Sequence, residues 1–324
     1  RPKSGVQGAV LTPMQKRLTK ARRTLAAVGL NECVTYSFVS SKEAALFGGG
    51  DELLKLENPI SSEMSDMRPS LLPGLLAAAA RNQARGYADV ALFEIGAEYF
   101  GGEPEDQREI AAAIRVGATA PRDWSGARRP VDLYDAKADA ETALAAIGAP
   151  VERLMTFRDA PEWFHPGRSA VLKLGPKNPL CAYGELHPKV LAEMDIKGPA
   201  VAIELYIANA PFPKAKGATR AALDISDYQA VERDFAFVVD ADVEADAILK
   251  AARGAEKKLI EAASVFDIFA GERAEAQMGA GKKSVAISIR LQPKSSTLTD
   301  EEIEAVGAKV IAGVAKATGG VLRS

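Results

Sequence analysis

Between residues 209 and 222 the chain drops every regular apolar spacing. Pro211 and Pro213 interrupt it, and Lys214, Lys216 and Arg220 follow within a few positions. Such a stretch neither continues a strand nor starts a helix, so the residues on either side must bury separate cores. A chain of 324 residues has length for two domains of ~100–200 residues each. The expected organisation is a linker over residues 1–10, a first domain over 11–210, a linker over 211–222 and a second domain over 223–324. The hydrophobic fraction of 47% and charged fraction of 26% are those of ordinary globular protein. The longest apolar stretch, residues 71–80, contains Pro73 and Gly74 and falls short of the ~20 residues of a membrane span. Cys33 and Cys181 are the only cysteines, which excludes a disulfide framework or zinc ribbon and fits a reducing, cytoplasmic setting. The chain opens Arg1-Pro2-Lys3 with neither an initiator Met nor an apolar signal, so a piece of a longer protein is expected.

In the first domain, Thr12-Pro13-Met14-Gln15 carries a capping box with proline at the first helical position. Met14, Leu18, Ala21, Leu25 and Val28 then recur at steps of three and four, one apolar stripe that Gly29 ends. Lys16, Arg17, Lys20, Arg22 and Arg23 largely ring the rest, as a solvated basic face or a surface for an acidic or nucleic-acid partner. Residues 32–39 and 53–56 read as strands with a turn at 48–51 between them. Ser70 opens a helix that tolerates Pro73 in its first turn and stops at Gly86. Strands follow at 90–100, 109–116, 170–174, 180–186 and 200–207, with a helix at 132–147. In the last strand Val201, Ile203, Leu205 and Ile207 alternate with Ala202, Glu204 and Tyr206, the pattern of a half-buried strand.

The second domain reads as β-α-β-β-α: strands at 231–239, within 259–269 and at 284–291, helices at 243–253 and after the Thr299–Glu302 capping box. That order over ~100 residues predicts a ferredoxin-like split βαβ sandwich. On its 284–291 strand Val285, Ile287, Ile289 and Leu291 share one face, and Ser284, Ala286, Ser288, Arg290 and Gln292 the other. An open sheet of this kind is a platform for single-stranded RNA, and equally an ordinary solvent-facing sheet. Residues 211–324 carry 16 Lys/Arg against 17 Asp/Glu, so a strong electrostatic footprint for RNA is absent.

Several chemistries are excluded. Gly279-Ala280-Gly281-Lys282-Lys283-Ser284 lacks the spacing of a phosphate-binding loop and leads into a strand. His165 and His187, the only histidines, have no local ligand spacing, so no metal site is expected. No G-x-S-x-G nucleophile elbow is present. Trp124 and Trp163 are isolated and read as structural.

Long motifs in order are similar to the C-terminal half of the bacterial phenylalanyl-tRNA synthetase β subunit. Its carriers include Gly29-Leu30-Asn31-Glu32 with Thr35-Tyr36-Ser37-Phe38, Asn58-Pro59-Ile60-Ser61, Met67-Arg68-Pro69-Ser70, Leu92-Phe93-Glu94-Ile95-Gly96, His165-Pro166-Gly167-Arg168, and Gly184-Glu185-Leu186-His187-Pro188. The second domain adds Arg233-Asp234-Phe235-Ala236-Phe237, Val265-Phe266-Asp267-Ile268-Phe269 and Thr297-Leu298-Thr299-Asp300-Glu301-Glu302. The resemblance implies an α+β protein: a class II aminoacyl-tRNA synthetase-like antiparallel sheet domain followed by a ferredoxin-fold anticodon-binding domain. It implies a catalytically silent core, with no catalytic residue and no cofactor here, ATP and Mg being expected on the α subunit. The cationic clamps that hold developing phosphate charge in such enzymes are missing after Tyr99 and after Ile207. Implied partners are the α subunit, in a heterotetramer of two α and two β whose subunit interface, against α or the symmetry-related β, is Met14, Leu18, Ala21, Leu25 and Val28, and tRNA(Phe), met by Arg233, Ser284, Ser288, Arg290 and Gln292. Hydrolytic editing is not expected. The alternatives are a stand-alone class II-like acyl-adenylate ligase and a protein-binding scaffold without RNA.

Overall fold

The chain divides into two compact units, Arg1–Lys216 and Gly217–Ser324. The computed structural model describes residues 5, 10–212, 222 and 225–323, so the expected linkers at 1–10 and 211–222 lie largely outside the described residues. In chain order the first unit holds α1 (Pro13–Ala27), β1 (Asn31–Glu32), β2 (Phe38–Val39), α2 (Ser41–Leu46), β3 (Asp66–Met67), α3 (Leu72–Ala84), β4 (Val90–Tyr99), β5 (Gln107–Val116), α4 (Leu133–Ala146), β6 (Met155–Phe157), β7 (Phe164–Lys173), β8 (Pro179–Leu186), α5 (Pro188–Glu193) and β9 (Ala200–Leu205). Seven strands form one sheet in the order β1-β4-β5-β9-β8-β7-β6. Within it only β1 and β4 run parallel.

Two layers of helices make this sheet apolar on both sides. Ala21 and Leu25 of α1 and Ala140, Ala143 and Leu144 of α4 pack over Phe93, Ala113, Ile203 and Leu205. On the other face Leu72, Leu75 and Leu76 of α3 pack over Leu92, Ile110, Ala112 and Ala202. A strand covered twice needs small or apolar residues on both sides. All six residues of β9 are accordingly buried, which corrects its reading as half-buried.

The N-terminal helix forms as its sequence dictates, with the Thr12–Gln15 capping box closed in both directions. Its apolar stripe, however, is not a bare docking surface. Leu25 is 0% exposed and Ala21 fully buried, while Met14, Leu18 and Val28 are partly buried against the same core. The stripe serves this unit's own sheet, because α4 and β4 supply the apolar partner it needs. Nor is the cationic ring wholly solvated. Arg17 is buried and donates Nη1 to the Ala210 carbonyl at 2.6 Å and Nη2 to the Pro211 carbonyl at 2.5 Å.

Two short segments differ from expectation. Residues 32–39 make the two separate strands β1 and β2, because the intervening Thr35 turns toward Glu94. Residues 52–54 form a turn of 3-10 helix capped by Asp51 instead of a strand. The capping box at Ser40 and Glu43 starts α2, and His187 caps α5, where Pro188 takes the first position.

The second unit holds β10 (Val231–Asp240), α6 (Ala245–Ala255), β11 (Ile260–Phe269), α7 (Glu272–Met278), β12 (Lys282–Leu291), α8 (Asp300–Thr318) and β13 (Val321–Leu322). The order β11-β12-β10-β13, with α6 and α8 on one side, is the ferredoxin-like sandwich. Val285, Ile287, Ile289 and Leu291 face those helices with Phe237, Ile248, Val306 and Val310.

Replacing Leu25 with alanine leaves a cavity under α1. Urea unfolding of L25A is expected to show a loss of about 3 kcal/mol. A loss below about 1 kcal/mol is the level of an exposed docking residue and contradicts its place in the core.

Candidate functional site

The α3 side of the large sheet carries five charged residues among its apolar ones. Glu94 and Glu204 share one line across the sheet, both aligned with Ala112 of β5. Glu98 stands further along β4, opposite Arg108 of β5. Arg68 enters from the turn between β3 and α3. Its Nη1 donates to Glu94 Oε1 at 2.8 Å and to Thr35 Oγ1 at 3.1 Å. Its Nε donates to the Ala97 carbonyl at 2.9 Å. Thr35 in turn donates to Glu94 Oε2 at 2.7 Å. Arg68 and Glu94 are both buried. Gly96 makes room for the guanidinium, since a Cβ there would stand 2.7 Å from Arg68 Nη2.

The second cation is held from one side, its side chain 43% exposed. Arg108 pairs through Nε with the buried Glu98 and lies over the Tyr206 ring, 4.5 Å from its centroid. Glu204 has no cation of its own. It accepts from Ser70 Oγ at 2.5 Å and from Trp163 Nε1 at 3.1 Å, and Ser70 Oγ also accepts from Leu72 N–H at the start of α3. Burial, and then the nearby Glu98 charge, push the Glu204 carboxyl up to about 7, against the pull of the Ser70 and Trp163 hydrogen bonds. Burial raises Glu98 too, opposed by Arg108.

Three carboxylates against two guanidiniums leave one surplus negative charge in a dry site, and a proton on Glu204 is the cheapest remedy. A phosphate clamp needs a positioned cation with free donors. In this cluster each arginine faces a carboxylate of the same chain, Arg68 enclosed and Arg108 at the surface. Trp163 is structural, as expected, packed beside Phe47 and Phe164. Trp124 is not: it is 97% exposed, on a turn held by Asp123, whose Oδ1 accepts from Ser125 N–H and Oγ–H. Among the described residues no group of three or more His, Cys, Asp or Glu is placed to hold a metal ion.

In the second unit the open face is only partly available. Ser288 is half-buried. Arg290 is exposed, with Nε on Glu261 at 2.8 Å and Nη1 near Glu232 at 3.5 Å. Ser284 is 3% exposed. Gln292 spends its amide on the Tyr228 carbonyl at 2.9 Å. Arg233 is aligned with Ile289, so it belongs to the helix-facing side and not to the face of Arg290. Strand periodicity enforces that separation, since alternate residues point to opposite sides.

Ser284 is covered because α7 crosses that end of the open face. Arg323, aligned beyond β13 with Ala236, reaches Gln277 of α7 at 3.5 Å and lies 5.6 Å from the Phe269 ring centroid. The signal for α7 is in the sequence: Glu272–Met278 is a helix-favouring run between Gly271 and Gly279, both at positive φ. It was hidden by reading 259–291 as strand, loop and strand.

Residues 1–207 match the family described as "Phenylalanyl tRNA synthetase beta chain CLM domain". The chain belongs to the phenylalanyl-tRNA synthetase β-chain family. Residues 226–323 match the "Ferredoxin-fold anticodon binding domain". Similar chains named phenylalanine–tRNA ligase β subunit come from Cereibacter sphaeroides, 62% identical over all of this chain, and Ruegeria pomeroyi, 59% identical over 98% of it. One from Rhodospirillum rubrum is 52% identical over the whole chain. The chain spans about 40% of the length of these relatives.

Glu204 gives the protein a pH signature. A carboxyl raised from an ordinary 4.5 to about 7 contributes stability present below pH 4.5 and lost as pH rises through 7, at most about 3 kcal/mol. Urea unfolding of E204Q at pH 5 and pH 8 is expected to lack that fall. An unchanged slope between the two pH values would remove Glu204 as its source.

Proposed function

We propose that the chain is a catalytically silent portion of a phenylalanine–tRNA ligase β subunit, one that docks the α subunit and holds tRNA(Phe) for ATP-dependent aminoacylation there. The observation that carries this reading is the buried pairing of Arg68 with Glu94: enclosed by its own carboxylate, that cation is not left for a phosphate, and Arg108 is tied through Nε to Glu98. The chain contributes by positioning, converting an encounter of acceptor end and active site into a local one. ATP and Mg belong to the α subunit, and the working assembly is two α and two β in the cytoplasm. No helix among the described residues is long and apolar enough to cross a membrane.

The docking surface lies just past the helix first assigned to it. Between β1 and β2, Val34 is 92% and Tyr36 73% exposed, beside a groove lined by Phe38, Val39, Met64 and Ala77. Apolar side chains grouped at a groove are the mark of a partner surface. The RNA surface is the open face of the second unit, at Ser288 and Arg290. Glu232, Asp234, Glu261 and Asp267 surround these residues, so contact there depends on bases more than on phosphates.

Size-exclusion chromatography with a bacterial phenylalanyl-tRNA synthetase α subunit is expected to show co-elution, lost when Val34 and Tyr36 are both changed to aspartate. Co-elution that survives both changes moves the interface elsewhere. The chain alone is expected to exchange no pyrophosphate into ATP with phenylalanine. Measurable exchange would establish the rival reading, a stand-alone acyl-adenylate ligase.

A further inference from the structure

Half of one edge of the ferredoxin-like sheet has no strand upon it among the described residues. β13 pairs only with Phe237 and Val238 of β10, and the Arg323 N–H donates to the Ala236 carbonyl at 2.7 Å. Backbone groups alternate in direction along a strand, so the N–H and C=O groups of Asp234 and Glu232 leave by that same edge. The Glu232 carbonyl accepts from Arg233 Nη1 at 3.0 Å. A side chain thus stands where a neighbouring strand would donate.

Beside the edge, on the helix side, runs a groove of about 520 Å³ between β10 and α8, walled by Phe235, Ile303, Ala308 and Ile311. Gly307 lies on its floor, where a Cβ would stand in ordinary contact at 3.5 Å from the Phe235 ring. The charges are one-sided. Glu232 and Asp234 flank the edge, Asp300 and Glu304 rim the groove, and among the described residues Arg233 is the single cation lining it.

We infer that the 231–235 edge of β10 and the adjoining groove dock an extended, lysine- or arginine-bearing segment of a protein partner, added to the sheet as a further strand. Main-chain hydrogen bonds to Asp234 and Glu232 supply the affinity in this mode, and alternate side chains supply the choice of partner. One set of side chains drops apolar groups beside Phe235 and Gly307. The other carries cations past Glu232 and Asp234. RNA is disfavoured there, because phosphates would meet four carboxylates. The inference is independent of docking at Val34 and Tyr36, and it shares Glu232 and Asp234 with the open face, where they stand opposite Arg290 and Ser288.

Fluorescence anisotropy with the full chain tests it, using a labelled peptide of alternating lysine and valine. A glutamate–valine counterpart and a peptide with prolines at the pairing positions serve as controls. The lysine–valine peptide is expected to bind at least ~10-fold more tightly than either. Asp234→Pro removes an edge N–H and Glu304→Lys reverses a rim charge on an exposed helix turn. Both are expected to weaken binding several-fold, and Glu304→Lys leaves the sheet intact whatever Asp234→Pro does to it. Equal binding of the proline peptide would reduce the contact to charge alone and overturn the inference. So would displacement of the peptide by oligouridylate in a chain carrying Arg290→Ala, or unchanged affinity in Glu304→Lys.

Discussion

The buried pair of Arg68 and Glu94 organises the α3 side of the first unit. One guanidinium touches Glu94, Thr35 and the Ala97 carbonyl, and the Arg68 backbone bonds to Ser37 and Tyr99. It therefore joins the segment after β1, the strand β4 and the entrance to α3. Removing either partner would strand the other charge in an apolar setting, which costs far more than the pair gains. The pair holds geometry at the expense of chemistry. A cation so enclosed cannot also receive a phosphate.

Glu204 extends the same logic with hydrogen bonds in place of an ion pair. Ser70 and Trp163 reach it from two well-separated segments of the unit. α3 and the approach to β7 are thereby pinned to the central strand. The polar residues of this side are aimed at one another, and α3 packs over them.

Local signals were legible where chain geometry alone decides. The capping boxes at Thr12 and Thr299 and the alternation of Val285, Ile287, Ile289 and Leu291 all appear as read. What periodicity left open was the identity of the neighbour. The α1 stripe announces that something apolar covers it, and periodicity is silent on whether that cover is the chain's own α4 or another subunit. β9 alternates in residue size and polarity, yet a second helical layer buries its polar side too. Arg233 and Arg290 lie two strands' worth of sequence apart, and only the register of β10 on β12 reveals that they face opposite ways. The acid cluster was invisible because Glu94, Glu98 and Glu204 meet through sheet order and have no common motif.

The two tryptophans divide the molecule's optical properties between them. Trp124 projects into water, and Trp163 donates its indole N–H to a buried carboxylate among Phe47 and Phe164. Emission on the long-wavelength side, open to iodide, therefore belongs to one loop. Emission on the short-wavelength side belongs to the Glu204 cluster. A shift in the second with the first unmoved is a spectroscopic reading of the charged interior alone.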